Sequence, residues 1–147
     1  MPSPWPQRLV ACSIALLVLW AILTFVAVWR GWPAEFSGLG DPDRVGDEWL
    51  SRGTLLSPPL TALVAQVAFT LLALVERRPT FVVAGFGLAV VGALYTVATV
   101  GEPLHPERSD PPVGLLVLVK VLGVGGALGL VVTGVETGVG ALRGRIP

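Results

Sequence analysis

Residues Val113–Val135 read VGLLVLVKVLGVGGALGLVVTGV, and Lys120 is the single ionisable residue among them. The hydrocarbon core of a bilayer is about 30 Å thick and is crossed by roughly 20 apolar residues in a helix. This stretch meets that length. A surface helix of a soluble protein needs a polar face, and none can be drawn here. In hydrocarbon every backbone N–H and C=O must bond within the spanning structure, so the stretch is a helix and not a lone strand.

Working outward, three more stretches read the same way. Leu9–Trp29 and Phe81–Val100 carry no charge, and Leu60–Val75 is shorter, uncharged and preceded by Pro58-Pro59. Proline suits a helix start, where the missing N–H has no intrahelical partner to lose. The expected fold is an all-α integral membrane protein, a compact bundle of four transmembrane helices over residues 9–29, 60–75, 81–100 and 113–135. Residues 1–147 form one domain, with an acidic extracytoplasmic loop at 30–59. The first span is too long for the apolar core of a signal peptide, about 7–15 residues, and no small-residue cleavage pattern follows it. It is read as a retained helix.

Composition agrees. The chain has 147 residues, 53% hydrophobic and 14% charged, with a mean hydropathy of +0.76; soluble domains are about 25% charged. Ten basic residues balance ten acidic ones, which leaves no basic footprint for nucleic acid. One cysteine, Cys12, excludes an internal disulfide and reads as a small packing residue. The chain has 23 Val against 3 Ile, nine Arg against one Lys, and no Asn. These biases favour GC-rich codons and point to a bacterial plasma membrane.

Positive charge in short loops sets orientation. Arg77 and Arg78 lie in the short connection between the second and third spans, and Arg8, Arg143 and Arg145 fall on the same side. Both termini are therefore expected in the cytoplasm. Eight acids, Glu35 to Glu48 and Glu102 to Asp110, then face outward. Trp5, Trp29 and Trp32 suit interfacial anchoring, and Trp20 suits packing.

Helices in lipid associate through close packing of small residues. Gly85, Ala89 and Ala93 repeat at four-residue spacing, and Gly125, Gly129, Gly134 and Gly138 mark the last span. Packing within the chain is the favoured reading, and a homodimer seam the alternative. Counted from the span ends, Lys120, Gln66, Tyr95 and Thr24 fall at similar depth in the outer half, with Thr96 beside Tyr95. They form a candidate intramembrane polar layer in which Gln66 and Tyr95 accept hydrogen bonds from Lys120. The blander reading has Lys120 snorkel along its apolar stem toward the outer interface. At the inner end, Glu136 could pair with Arg77 or Arg78.

The loop acids Asp41, Asp43, Asp47 and Glu48 do not form an EF-hand, because Val45 and Arg52 occupy required ligand positions. They read as a solvated cluster. Apolar spacing from Val45 to Leu56 suggests a short interfacial helix anchored by Trp49. His105 follows Glu102 by three residues, but Pro103 and Pro106 break the helix such a metal pair needs.

No metal or other cofactor is expected. The single cysteine excludes the quinone-linked thiol oxidoreductases, and the lack of histidine within the spans excludes membrane haem cytochromes. An uncharged first span departs from the small multidrug transporters, and the lack of Asn from the small fluoride channels. No nucleophile–base pair or phosphate-binding glycine motif is present, so an enzyme is not expected. The remaining readings are a non-catalytic accessory or assembly subunit packed against a membrane-protein partner, or a homo-oligomeric transporter or channel around the Lys120 layer.

Overall fold

The structure, a computed structural model, describes residues 4–34, 41–75, 77–102, 104 and 111–146. Expectations placed on Glu35, Pro103, His105, Pro106, Glu107 and Asp110 lie outside the described residues. The described residues form α1 (Trp5–Arg30), a 3₁₀ turn (Pro42–Arg44), α2 (Val45–Glu48), α3 (Leu60–Ala73), α4 (Arg78–Gly101) and α5 (Val113–Leu142). Beyond helices they contain only the isolated bridges Pro33–Thr54 and Thr54–Ser57.

Among the described residues, three helices are long and apolar enough to cross a membrane: α1 with 26 residues, α4 with 24 and α5 with 30. The expected second span has a shorter helix than the other three. Its helix, α3, has 14 residues, and a rise of 1.5 Å per residue makes it about 21 Å long, short of a core of about 30 Å.

The reason lies in the chain before α3. Gly53 takes φ +86°, and a Cβ there would sit 2.7 Å from the Ser57 carbonyl oxygen and 2.9 Å from Pro58 and Pro59. The backbone then closes a tight turn. Thr54 N–H donates to Ser57 O at 2.9 Å, and Ser57 N–H returns to Thr54 O at 3.3 Å. Residues 53–58 are buried. Thr24 Oγ1 donates to Ser57 Oγ at 2.7 Å, which seats the turn six residues below the end of α1, about 9 Å along its axis. The chain has descended along α1 before α3 begins. Irregular backbone at such depth is tolerated only where protein covers it, and here Thr54 Oγ1 accepts from the Leu56 and Ser57 N–H groups.

This path also replaces most of the expected 45–56 helix. Only Val45–Glu48 is α-helical, and Leu55 and Leu56 are buried in the core. Trp49 donates from Nε1 to Pro58 O at 3.2 Å. Trp32 is buried too, which corrects its reading as an interfacial anchor. It is turned inward by the end of α1, where Gly31 at φ +66° lets Trp32 N–H reach Ala27 O and Gly31 N–H reach Val28 O. That bond pair is a Schellman cap. Trp29 stays 75% exposed.

α5 lies at the centre. One face meets α4 backbone to backbone: a Cβ on Gly85 would lie 2.6 Å from Gly134 O, and one on Gly134 2.5 Å from Gly85 O. Higher up, a Cβ on Gly92 would lie 2.6 Å from Ala127 O. The other face takes side chains from α1: Gly123 abuts Trp20, Gly126 abuts Leu16, and Gly129 abuts Cys12 Sγ. The small residues thus pack within the chain. Two positions are corrected: Gly92 and not Ala93 continues the α4 seam, and Gly125 faces open space. The outward faces are apolar, with Phe25 71% and Val121 65% exposed.

A methyl group at Gly134 must push α4 and α5 apart, whereas one at Gly125 meets nothing within 4 Å. Gly134→Ala is expected to lower unfolding stability in detergent by about 1–3 kcal/mol, the usual range for overpacking. Gly125→Ala is expected to be neutral or slightly stabilising. Equal behaviour of the two variants would contradict the seam.

Candidate functional site

A helix end leaves four carbonyls without intrahelical partners, and they carry the negative end of the helix dipole. At the end of α4 these carbonyls meet Lys120. Its ammonium donates to Thr99 O at 2.7 Å, Val100 O at 3.2 Å and Glu102 O at 2.5 Å. An ammonium has three donors, and all three are engaged. At the other end of the same helix pair the arrangement is reversed. Arg78, at the start of α4, donates from Nε to Ala141 O at 2.6 Å and from Nη2 to Leu142 O at 2.7 Å. Each antiparallel helix thus caps the C-terminal carbonyls of the other with a cation.

Two expected pairings are corrected by this geometry. Lys120 donates to backbone carbonyls in place of Gln66 and Tyr95, because the end of α4 lies within reach of its stem. Arg78 likewise binds the end of α5, Glu136 is exposed, and the ion pair found among the described residues is Arg44–Asp47 at 4.0 Å.

Of the four candidate residues, Gln66 sits at a different level from the other three. Thr24 is bound to the buried turn through Ser57. Gln66 donates from Nε2 to Ser13 O and Ser13 Oγ, both at 3.0 Å. Ser13 Oγ lies 2.7 Å from Thr70 Oγ1, which donates to Gln66 O at 2.7 Å. Ser13 precedes Thr24 by eleven residues on α1, about 16 Å along the axis. Gln66 therefore belongs to a separate, deeper cluster that fastens α3 to α1. Depth counted from Leu60 missed this, because the chain was already below the end of α1 at Ser57.

Tyr95 and Lys120 do come together. With Trp20, Glu102, Arg52 and Ser57 they line a cavity of about 50 Å³ under the buried turn. Trp20 and Tyr95 meet edge to face, ring centroids 5.8 Å apart. Among the described residues neither Trp20 Nε1 nor Tyr95 Oη has a hydrogen-bond partner, and Gln66 Oε1 and Thr137 Oγ1 share that condition. A buried polar group left unsatisfied costs about 1–3 kcal/mol.

Sequence reasoning overlooked Ser13, Thr54 and Ser57, and placed Trp20 in packing alone. Ser13 was as legible as Thr24, being a hydroxyl within an uncharged span. Thr54 and Ser57 carried no such signal, since they sit in what reads as a surface loop. In the acidic loop the carboxylates serve their own backbone. Asp41 Oδ1 accepts from Asp43 N–H at 3.0 Å, and Glu48 Oε2 accepts from Asp41 N–H at 3.1 Å.

The chain matches no protein family, and neither the curated proteins nor the solved structures yield a significant match.

Lys120→Met keeps the length of the side chain and removes its three donors. It is expected to destabilise the protein by about 1.5–3 kcal/mol, the range for hydrogen bonds to a charged group, and to speed amide exchange through the last turn of α4. Unchanged stability and exchange would contradict the capping role.

Proposed function

We propose that this chain is a non-catalytic accessory or assembly subunit of a larger membrane complex. In this reading it crosses a bacterial plasma membrane four times with both termini in the cytoplasm. The second crossing is made by α3 together with the buried turn at residues 53–59. The arginines at the α3–α4 connection support the orientation.

The observation that carries this reading is the engagement of Lys120. The one charge well inside a span is bonded through all three donors to the end of α4. A proton-relay or ion-coupling role for Lys120 needs a group able to exchange partners or protons. The remaining buried polar pairs join neighbouring elements locally, as Gln66 does with Ser13 and Thr24 with Ser57. The outward faces are continuous apolar surface suited to lipid or to the helices of a partner. The competing reading, a homo-oligomeric transporter or channel around Lys120, draws on the cavity that Lys120 and Tyr95 share.

Capture of the tagged protein from its native membrane in mild detergent, with native mass measurement, separates the two. The expected result is a stoichiometric complex with a different membrane protein. A homo-oligomer with nothing else retained would overturn the accessory reading in favour of the transporter.

A further inference from the structure

A groove opens at the end of the molecule opposite the buried turn, where α3 stops. α3 is fastened to α1 by Gln66 and Ser13 and lies against α4 where the Phe69 ring meets Gly87. It ends at Ala73, and beyond that level the space between α1 and α4 stands open. The groove measures about 330 Å³. Its walls are Pro6, Gln7, Val10 and Ile14 of α1, Leu74 just past α3, and Phe81 of α4. Gln7 is the one polar side chain among the described residues that line it. Ile14 and Leu74 are about half exposed, at 49% and 55%, so the groove opens sideways to the surroundings of the helices.

Size and chemistry suit a hydrocarbon chain. Benzene fills a cavity of about 150 Å³, and this groove is roughly twice that. Its apolar walls ask for no polar partner along their length. Charge narrows the occupant further. Residues 4–8, 74–80 and 136–146 gather at this end, since Leu74 shares the groove with Gln7, and Arg78 reaches Ala141 and Leu142. Their full sequence holds Arg8, Arg77, Arg78, Arg143 and Arg145 against Glu76 and Glu136, a surplus of three positive charges. Residues 1–3 and 147 carry no ionisable side chain. α1 and α4 both begin here, at Trp5 and Arg78, and a helix start is the positive end of its dipole. α3 and α5 end here, but the last carbonyls of α3 accept from Leu74 and Val75 N–H and those of α5 from Arg78.

We propose that this groove is a binding site for an anionic phospholipid. One acyl chain lies between α1 and α4 against Val10, Ile14 and Phe81. The phosphate sits level with the first turns of α1 and α4, in the field of the surplus arginines. Basic recesses between helices at the cytoplasmic side of a membrane are suited to anionic headgroups. Arg77 is exposed on the connection into α4, while its neighbour Arg78 is engaged at the end of α5. The site rests on the chain lying in a bilayer and does not depend on the accessory role.

The test uses the full chain, extracted from membranes in a mild non-ionic detergent and freed of lipid. It is titrated with phosphatidylglycerol, or with phosphatidylcholine of the same acyl chains, and native mass spectrometry counts the bound lipids. The first phosphatidylglycerol is expected to bind more tightly than the first phosphatidylcholine. Arg77→Gln is expected to weaken phosphatidylglycerol by about fivefold, the weight of one arginine near an anionic lipid surface, and to leave phosphatidylcholine unchanged. Ala11→Phe fills the groove from an exposed position on α1 and is expected to weaken both lipids. Ala93→Phe, at an exposed position on α4 outside the groove, is expected to weaken neither. Equal affinity for the two lipids would overturn the site. So would phosphatidylglycerol binding undiminished in Arg77→Gln or in Ala11→Phe, or a loss in Ala93→Phe equal to that in Ala11→Phe. Recovery of the folded chain from the membrane-free fraction without detergent would overturn the membrane reading and the site with it.

Discussion

The backbone contact between α4 and α5 is the constraint from which the other features follow. Gly85, Gly92, Gly134 and Ala127 let the two helices approach until main-chain atoms touch. In lipid this matters more than in water, because apolar side chains gain little by leaving one apolar environment for another. Close packing must supply the cohesion. The approach also fixes the register of the hairpin, and so sets which side chain reaches which helix end.

That register makes the cation caps reachable. Lys120 sits seven residues into α5, opposite the last carbonyls of α4, and Arg78 sits at the first residue of α4, opposite the last carbonyls of α5. Helix ends at or below a membrane surface lack the water that satisfies them in soluble proteins. A long cationic side chain from the neighbouring helix replaces it and meets the favourable end of the dipole. The same logic governs the turn at residues 53–58, where Thr24, Thr54 and Ser57 supply the hydrogen bonds that a buried irregular segment would otherwise lack.

The long apolar helices were legible in the sequence because length and the absence of charge determine them without reference to neighbours. Residues 9–29, 81–100 and 113–135 fall within α1, α4 and α5. The second span was harder. Leu60 to Val75 looks like a short span when it is assumed to start at the membrane surface, and nothing in Gly53-Thr54-Leu55-Leu56-Ser57 announces that this loop descends beside α1. That error displaced Gln66 by a whole level and joined it to residues it does not meet. Lys120 was legible as an unusual residue, and its stem extends to the end of α4. Its partners were not legible, because hydrogen bonds to backbone carbonyls leave no trace in residue identity. The glycine seam was half legible: spacing nominated Gly85 and Ala89, but only the crossing of two helices selects Gly92 over Ala93.

The sequence contains a single lysine, and this permits a direct measurement of the cap. Protein carrying ¹⁵N at the lysine side chain and ¹³C at threonine carbonyls, reconstituted in lipid, yields one ammonium signal in solid-state NMR. With Lys120 Nζ 2.7 Å from Thr99 O, the account predicts strong dipolar coupling to one threonine carbonyl carbon at about 4 Å or less, as a hydrogen bond of ordinary geometry requires. An ammonium signal in rapid exchange with water and uncoupled to any threonine carbonyl would contradict it.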